Sequence, residues 1–280
     1  MRPVPAVRGA LTRRAPALLA ALALVLTLCA GCGGERPEKD TDPVKPPEEA
    51  PAAPPAERDV EDTLRPDEEV LLTMDAPLAD GRTLTLEAVG RHGVGQEMDS
   101  CGVRLVRVLD GDTLIQTVAA REAIAEDWGE GMDEDFYDYT SCWSPEDSMT
   151  TLDLNFDGST DFGLFGWSAN NTIPYYYWTW NKEAQRYEFA CTLQGAALHP
   201  ETREVSSEYR YDAANYYTDY YTPDETGQLR MTHRITANYD NPEDPLYQVW
   251  MVRSGVVVRP RPYGPREGDL ELVEPETAAA

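Results

Sequence analysis

The sequence is dominated by short segments in which apolar and polar residues alternate, separated by turn-forming residues at intervals of about ten. A period of two places successive side chains on opposite faces of a β-strand, whereas an amphipathic helix needs a period near 3.6. The chain therefore predicts an all-β fold: an antiparallel β-propeller-like or sandwich domain of short hairpins.

Ten segments have the composition and alternation of strands, and Asp110-Gly111-Asp112 and Ser254-Gly255 are strong hairpin signals between them. The predicted strands are Glu69 to Thr73, Thr83 to Val89, Val103 to Val108, Thr113 to Val118, Ile173 to Trp180, Tyr187 to Leu193, Glu204 to Tyr211, Leu229 to Tyr239, Gln248 to Val252 and Val256 to Val258. Helical composition is confined to Ala119 to Trp128, which predicts one short helix.

One acidic segment has the spacing of a cation-binding loop. Oxygen-bearing side chains occupy alternate positions, and Gly158 follows the third of them, where a sharp bend excludes a Cβ atom. The predicted ligands are the side chains of Asp153, Asn155, Asp157 and Asp161 and the backbone carbonyl of Ser159. Many flexible oxygen ligands favour Ca²⁺ over Mg²⁺. The alternative is a metal-free turn stabilised by Asp and Asn side chains.

This loop is not expected to be an EF-hand, because its twelfth position is Leu164 rather than the bidentate glutamate. The residues from Phe162 to Trp167 read instead as a strand that leaves the loop. Since the loop lies between strands and no nucleophile is near it, we expect a structural metal site.

The loop and the aromatic hairpin after it, Tyr175 to Asn181 and Arg186 to Phe189, resemble a bacterial family of extracytoplasmic proteins. The hairpin at Leu114 to Thr117 is also similar to that family. Its members carry one D-x-N-x-D-G-x-x-D loop, related to FG-GAP and integrin-type calcium loops, on a β-propeller-like body. The resemblance implies a calcium-bound fold of that kind. One branch of similar proteins inhibits lysozyme-like enzymes in the periplasm.

Residues 1–32 have the features of a bacterial lipoprotein signal. Four arginines precede an apolar run, Leu18 to Leu28, that is short for a membrane span, and small residues precede Cys32. The pattern predicts cleavage before Cys32 and acylation of its thiol; the alternative is ordinary secretion with cleavage near Ala30. Residues 33–66, rich in Pro, Glu and Ala, predict a disordered tether, and residues 67–275 the calcium-loop domain.

The net charge limits the classes of partner. All fifty acidic residues and twenty of the twenty-four basic ones lie beyond residue 32, which leaves a net charge of −30 on the mature chain. Such a surface repels nucleic acid and attracts cationic proteins and metal ions. General solubility outside the cell is an equally strong explanation of this charge.

Three cysteines remain in the domain, so three disulfide pairings are possible. Cys101 and Cys142 lie in polar, turn-like surroundings, whereas Cys191 alternates with apolar residues on a strand. We therefore favour a Cys101–Cys142 disulfide, permitted by an export compartment, and a buried Cys191 thiol.

Two groups of aromatic residues are candidates for binding. Tyr175 to Trp180 places aromatics on both faces of one strand, and core packing is the stronger explanation there. Tyr216, Tyr217, Tyr220 and Tyr221 form a better surface candidate for binding a partner, because their spacing fits no regular strand face.

The sequence contains no recognisable catalytic motif. His92, His199 and His233 are scattered, and there is no nucleophile elbow, zinc-protease motif or phosphate-binding glycine loop. We therefore predict a non-catalytic, lipid-anchored, calcium-stabilised binding module of the bacterial cell envelope, with a cationic protein such as a wall hydrolase as partner. The alternatives are a protein that binds or hydrolyses cell-wall glycans and a purely structural envelope lipoprotein.

Overall fold

The computed structural model describes residues 64–94, 100–128, 138–166, 173–260 and 267–273. These residues form three antiparallel sheets of four, four and six strands, in which each strand pairs with its neighbours in the chain. The predicted all-β class, propeller-like or sandwich, is confirmed. The predicted signal, the acylated Cys32 and the tether as far as residue 63 lie outside the described residues.

The first sheet is a four-stranded meander followed by a helix. Its strands are β1 (Glu69–Pro77), β2 (Thr83–His92), β3 (Cys101–Asp110) and β4 (Thr113–Ala119), and α1 (Ala120–Trp128) follows directly. The helix that the composition predicts is therefore present, and its buried Ala123 and Ile124 pack into the core.

The second sheet repeats the same order of strands. It comprises β5 (Met149–Leu152), β6 (Asp161–Phe165), β7 (Tyr175–Asn181) and β8 (Arg186–Leu193). The loop between β5 and β6 is the acidic segment, so the strand predicted to leave that loop is β6.

The third sheet is the largest and ends in the C-terminal segment. Its strands are β9 (Ala197–His199), β10 (Glu204–Arg210), β11 (Asn215–Pro223), β12 (Leu229–Asn238), β13 (Leu246–Val252) and β14 (Leu270–Val273). The prediction of a strand at Val256–Val258 is wrong. That segment has no strand structure. β13 pairs instead with β12 on one side and with β14 on the other, where Val249 is the partner of Val273.

Two hydrophobic clusters hold the sheets together, and the second sheet contributes to both. Trp178 and Leu164 lie in a cluster with residues of the first sheet, whereas Tyr177 and Leu193 lie in another with residues of the third. Because neighbouring residues of β7 point to opposite faces, its aromatic run fills two interfaces. The structure therefore shows that the aromatic residues from Tyr175 to Trp180 pack in the core.

A disulfide links Cys101 to Cys142, the pairing that the sequence favours, and closes a separation of 41 residues. The backbones of the two cysteines also exchange hydrogen bonds of 2.9 and 2.8 Å. Cys191 is a buried free thiol, and its burial raises its pKa above the usual range.

A buried charge network fixes the start of the domain. Arg104 donates from Nε and Nη2 to the carboxylate of Glu68, at 2.6 and 2.7 Å, and the Tyr139 hydroxyl donates at 2.8 Å. Arg65, which the sequence assigns to the tether, donates its backbone N–H to Glu68 and its guanidinium to Asp138. Burial alone would raise the pKa of Glu68, but these hydrogen bonds outweigh it and hold the pKa at about 2.

We predict an acid-sensitive contribution of Glu68 to stability. The folded pKa of about 2 lies below the ordinary glutamate pKa of 4.5, so the contribution is complete above pH 4.5 and is lost as the pH falls toward 2. Urea unfolding at a series of pH values measures it. Glu68→Gln should lower the unfolding free energy at pH 7 and flatten its decline between pH 4.5 and 2.

Glu183→Gln is the matched control, because Glu183 is exposed on the loop between β7 and β8. This variant should follow the parent protein at every pH. Equal pH profiles for Glu68→Gln and the parent would show that the Glu68 network does not stabilise the fold.

Candidate metal centre

The loop from Asp153 to Thr160 is held by its own acidic side chains. Asp153 accepts hydrogen bonds from the backbone N–H groups of Asp157 and Gly158, at 2.9 and 3.0 Å. Gly158 has a φ of +87°, and Phe156 adopts the left-handed region at +58°. The expected requirement for glycine at the bend is therefore met, because a positive φ is unstrained in a residue without a Cβ atom.

Asn155 and Asp157 repeat the same turn chemistry further along. Asn155 Oδ1 accepts from the Asp157 N–H at 3.1 Å, and Asp157 Oδ1 accepts from the Ser159 N–H at 2.8 Å. The Asn155 amide also approaches Asp157 Oδ2 at 3.4 Å. Backbone N–H groups therefore already form hydrogen bonds with several of these side-chain oxygens, as in turns capped by Asp and Asn.

Asp161 is fully buried at the first position of β6. Its two carboxylate oxygens accept hydrogen bonds from the N–H groups of Leu154 and Trp180, at 2.8 and 2.9 Å. Burial raises the pKa of Asp161 well above its usual range, and the nearby negative charges of Asp157 and Asp153 act in the same direction. Among the described residues, no basic side chain forms an ion pair with this carboxylate.

The donor set fits a hard cation chemically. Each carboxylate oxygen has two lone pairs, so an oxygen that accepts a backbone N–H retains capacity for a further ligand contact. Three carboxylates and one amide oxygen within nine residues are the hard ligands that Ca²⁺ prefers. In the described part of the chain, however, His, Cys, Asp and Glu side chains form no group of three or more that is arranged to hold a metal ion.

The loop also contacts the first sheet. The Thr160 N–H donates to the carbonyl of Pro77, the last residue of β1, at 2.9 Å. Ser159 accepts a long hydrogen bond of 3.4 Å from the Ala79 N–H through its hydroxyl, and Ser159 is buried.

Contacts of the loop extend to the second and third sheets. The Tyr187 hydroxyl in β8 donates to the Thr160 carbonyl at 2.8 Å, and Arg203 beside β10 donates to the Phe156 carbonyl at 3.1 Å. A Cβ atom on Gly227, in the turn between β11 and β12, would lie 3.2 Å from the Asn155 amide nitrogen. The acidic loop is therefore a junction of all three sheets. Arg203 and Gly227 lie far from the loop in sequence and show no pattern that predicts these contacts.

An open cleft of about 740 Å³ lies beside the loop, and it is lined by residues of the second and third sheets and of the segments that follow them. Asn155 and Asp157 form part of its wall, together with Asp224, Arg203 and Arg230. The described residues that border this cleft include no histidine. His92 lies on the first sheet. His199 and His233 lie on the third, where their ring centres are 6.1 and 4.4 Å from that of Tyr220.

The tyrosine prediction needs correction. Tyr216, Tyr217, Tyr220 and Tyr221 all lie in the regular strand β11, which the sequence did not indicate. The strand divides them between two faces, and Tyr221 is fully buried among apolar residues. Tyr217 packs against the guanidinium of the buried Arg234, 4.6 Å from its ring centre. Tyr216 and Tyr220 remain half-buried on the other face.

Comparisons with known proteins give limited information. No protein-family model and no curated protein matches the chain. A solved structure described as "Structure of a Xanthomonas Type IV Secretion System related protein" is similar, with 10% identity and a TM-score of 0.46, covering 66% of this chain and 91% of that chain. Similarity at this level carries no argument about function.

Among the described residues, no helix is both long enough and apolar enough to cross a bilayer.

Proposed function

We propose that the protein is a lipid-anchored, calcium-stabilised, non-catalytic binding module of the bacterial cell envelope. The observation that carries this proposal is the acidic loop at the junction of three sheets, with the buried Asp161 at its end. The resemblance of the loop to FG-GAP and integrin-type calcium loops supports the same interpretation.

The charge environment of Asp161 is the physical reason for a cation. The buried carboxylates of Glu68 and Asp219 are each paired with an arginine, Arg104 and Arg234, at 2.6 Å. The described residues give Asp161 no such partner, although two further carboxylates lie near it. A buried carboxylate without a counter-ion is costly.

The ligands would be the side chains of Asp153, Asn155, Asp157 and Asp161 and the carbonyl of Ser159. When bound, Ca²⁺ supplies positive charge that offsets their mutual repulsion. Thr160 and Phe156, which lie next to these ligands, make the contacts to Pro77, Tyr187 and Arg203. An ion that orders the loop would therefore also fix the approach of the sheets.

Location in the envelope is supported by the sequence of residues 1–32. The apolar run before Cys32 predicts export and acylation, and the Pro- and Glu-rich segment after it would separate the domain from the lipid surface. The proposed partner is a cationic protein, such as a wall hydrolase, because the mature chain has a net charge of −30.

We predict that Ca²⁺ stabilises the chain from Gly33 to Ala280 and that Asp157→Ala abolishes the effect. At a concentration about one hundred times Kd, a bound ligand adds about 2.7 kcal/mol. That gain corresponds to a rise in Tm of about 5–10 °C for a domain of this size. Thermal melts with Ca²⁺ and with chelator measure it.

Asp212→Ala is the matched control. Asp212 caps a turn by accepting from the N–H groups of Ala214 and Asn215, but it lies outside the loop. This variant should lower Tm equally with and without Ca²⁺. If the parent protein melts at the same temperature in both conditions, the calcium site is refuted.

We further predict that the chain binds cationic wall hydrolases with an affinity that falls steeply with salt. Screening shortens the range of electrostatic attraction from about 30 Å at 0.01 M to about 10 Å at 0.1 M salt. Titration calorimetry against a panel of such enzymes at both salt concentrations tests it. If none of these enzymes binds at low salt, the proposed partner is refuted.

The non-catalytic assignment is tested separately, by incubating the chain alone with peptidoglycan. Release of products would refute that assignment.

A further inference from the structure

One face of the third sheet carries exposed apolar side chains that the other described residues leave uncovered. Strand pairing places residues in rows across this face: Glu208, Thr218, Ile235, Val249 and Val273 form one row, because each is the direct partner of the next. A second row contains Ser206, Tyr220, His233, Met251 and Glu271, and a third contains Arg210, Tyr216, Ala237 and Tyr247. We call these three rows the open face.

The opposite face of the same sheet already packs into the domain. Val205, Tyr221, Met231 and Leu270 belong to the hydrophobic cluster shared with the second sheet. A sheet with one packed face usually alternates, with polar residues turned to water. The open face departs from this rule, so its apolar residues need another explanation.

Exposure on the open face is large for side chains of this type. Tyr247 is 59% exposed, Val273 43%, and Val249 and Met251 40% each. A groove of about 450 Å³ runs beside them and is lined by Tyr216, Ile235, Tyr239, Tyr247 and Glu208, among others. Contiguous exposed apolar side chains of this kind mark interaction sites.

The aromatic rings on the open face are already held in place. Tyr220 stacks on His233 with ring centres 4.4 Å apart, and Tyr216 meets Tyr239 edge to face at 5.5 Å. Rings fixed by their neighbours lose little conformational entropy when a partner binds.

The charges around the open face are mainly acidic. Glu208 lines the groove, Glu271 ends the second row, and Asp240, Glu243 and Asp244 follow β12. Arg210 is the basic side chain in the rows, and its guanidinium donates to the carbonyls of Asp212 and Ala213. Because acidic groups surround an apolar centre, a complementary ligand is apolar with cationic flanks.

We propose that the open face binds a segment of a cationic protein that presents aliphatic or aromatic side chains flanked by lysine or arginine. This rests on the proposed function, since it specifies how the cationic partner is recognised. Val249, Met251 and Val273 offer apolar contacts to a protein segment, and the acidic groups around them attract cationic side chains rather than a neutral glycan. Like charges disfavour a second copy of the chain, and they equally disfavour its own acidic segment before residue 64.

The test uses three synthetic peptides of twelve residues, which alternate Lys with Leu, Glu with Leu, and Lys with Ser. Their affinities for the chain from Gly33 to Ala280 are measured by fluorescence anisotropy at low salt. The Lys/Leu peptide should bind most tightly. Val249→Ser and Glu208→Gln should each weaken it by about tenfold, the loss of one central contact.

The controls are Ile115→Ser and Glu183→Gln. Ile115 is 38% exposed on β4 of the first sheet, which matches the exposure of Val249, and Glu183 is an exposed carboxylate away from the open face. Both variants should bind the Lys/Leu peptide as the parent protein does. Circular dichroism melts of all four variants show whether they are folded.

The outcomes separate this inference from the proposed function. If the parent protein and the Val249→Ser and Glu208→Gln variants bind wall hydrolases equally well, the open face is refuted as the binding surface and the proposed function stands. If the peptide results hold and no hydrolase binds, the open face is supported and the proposed partner fails. Binding of chitotetraose to this face, or dimerisation that Val249→Ser abolishes in sedimentation, would overturn the choice of a cationic segment.

Discussion

The buried carboxylate of Asp161 is the polar interaction that closes the acidic loop, where contacts to all three sheets meet. Its oxygens join Leu154 in the acidic loop to Trp180 in β7. The same loop reaches Pro77 in the first sheet and Arg203 beside the third. The loop that Asp161 closes therefore joins all three sheets, and under the proposed function a bound cation would link metal binding to folding.

Two other buried carboxylates of the fold, unlike that of Asp161, form ion pairs with arginine. In the third sheet, Arg234 donates to both oxygens of Asp219, at 2.6 and 2.9 Å, and Glu68 has the equivalent arrangement with Arg104 in the first. Removing one member of such a pair leaves an uncompensated buried charge and is strongly destabilising. The contrast with Asp161 explains how one acidic domain combines internal ion pairs with a proposed site for an external cation.

Local patterns and long-range packing differ in how far they can be predicted. Alternation located most strands, and oxygen spacing with Gly158 located the loop, because both follow from the backbone geometry of a few consecutive residues. The apolar Val256–Val258 segment misled the prediction, since a strand needs a partner and β13 pairs with the distant β14 instead. The tyrosines of β11 were missed as a strand because polar residues interrupt their alternation.

From the sequence alone came the all-β class, the acidic loop, the net charge of residues 33–280 and the favoured cysteine pairing. Each depends on composition or on neighbours in the chain. Only the tertiary structure decided that Tyr221 is buried while Tyr216 lies on an open face, and that Arg203 contacts the loop. These facts depend on which strands pair and which sheet faces meet, and residues far apart in the chain determine both.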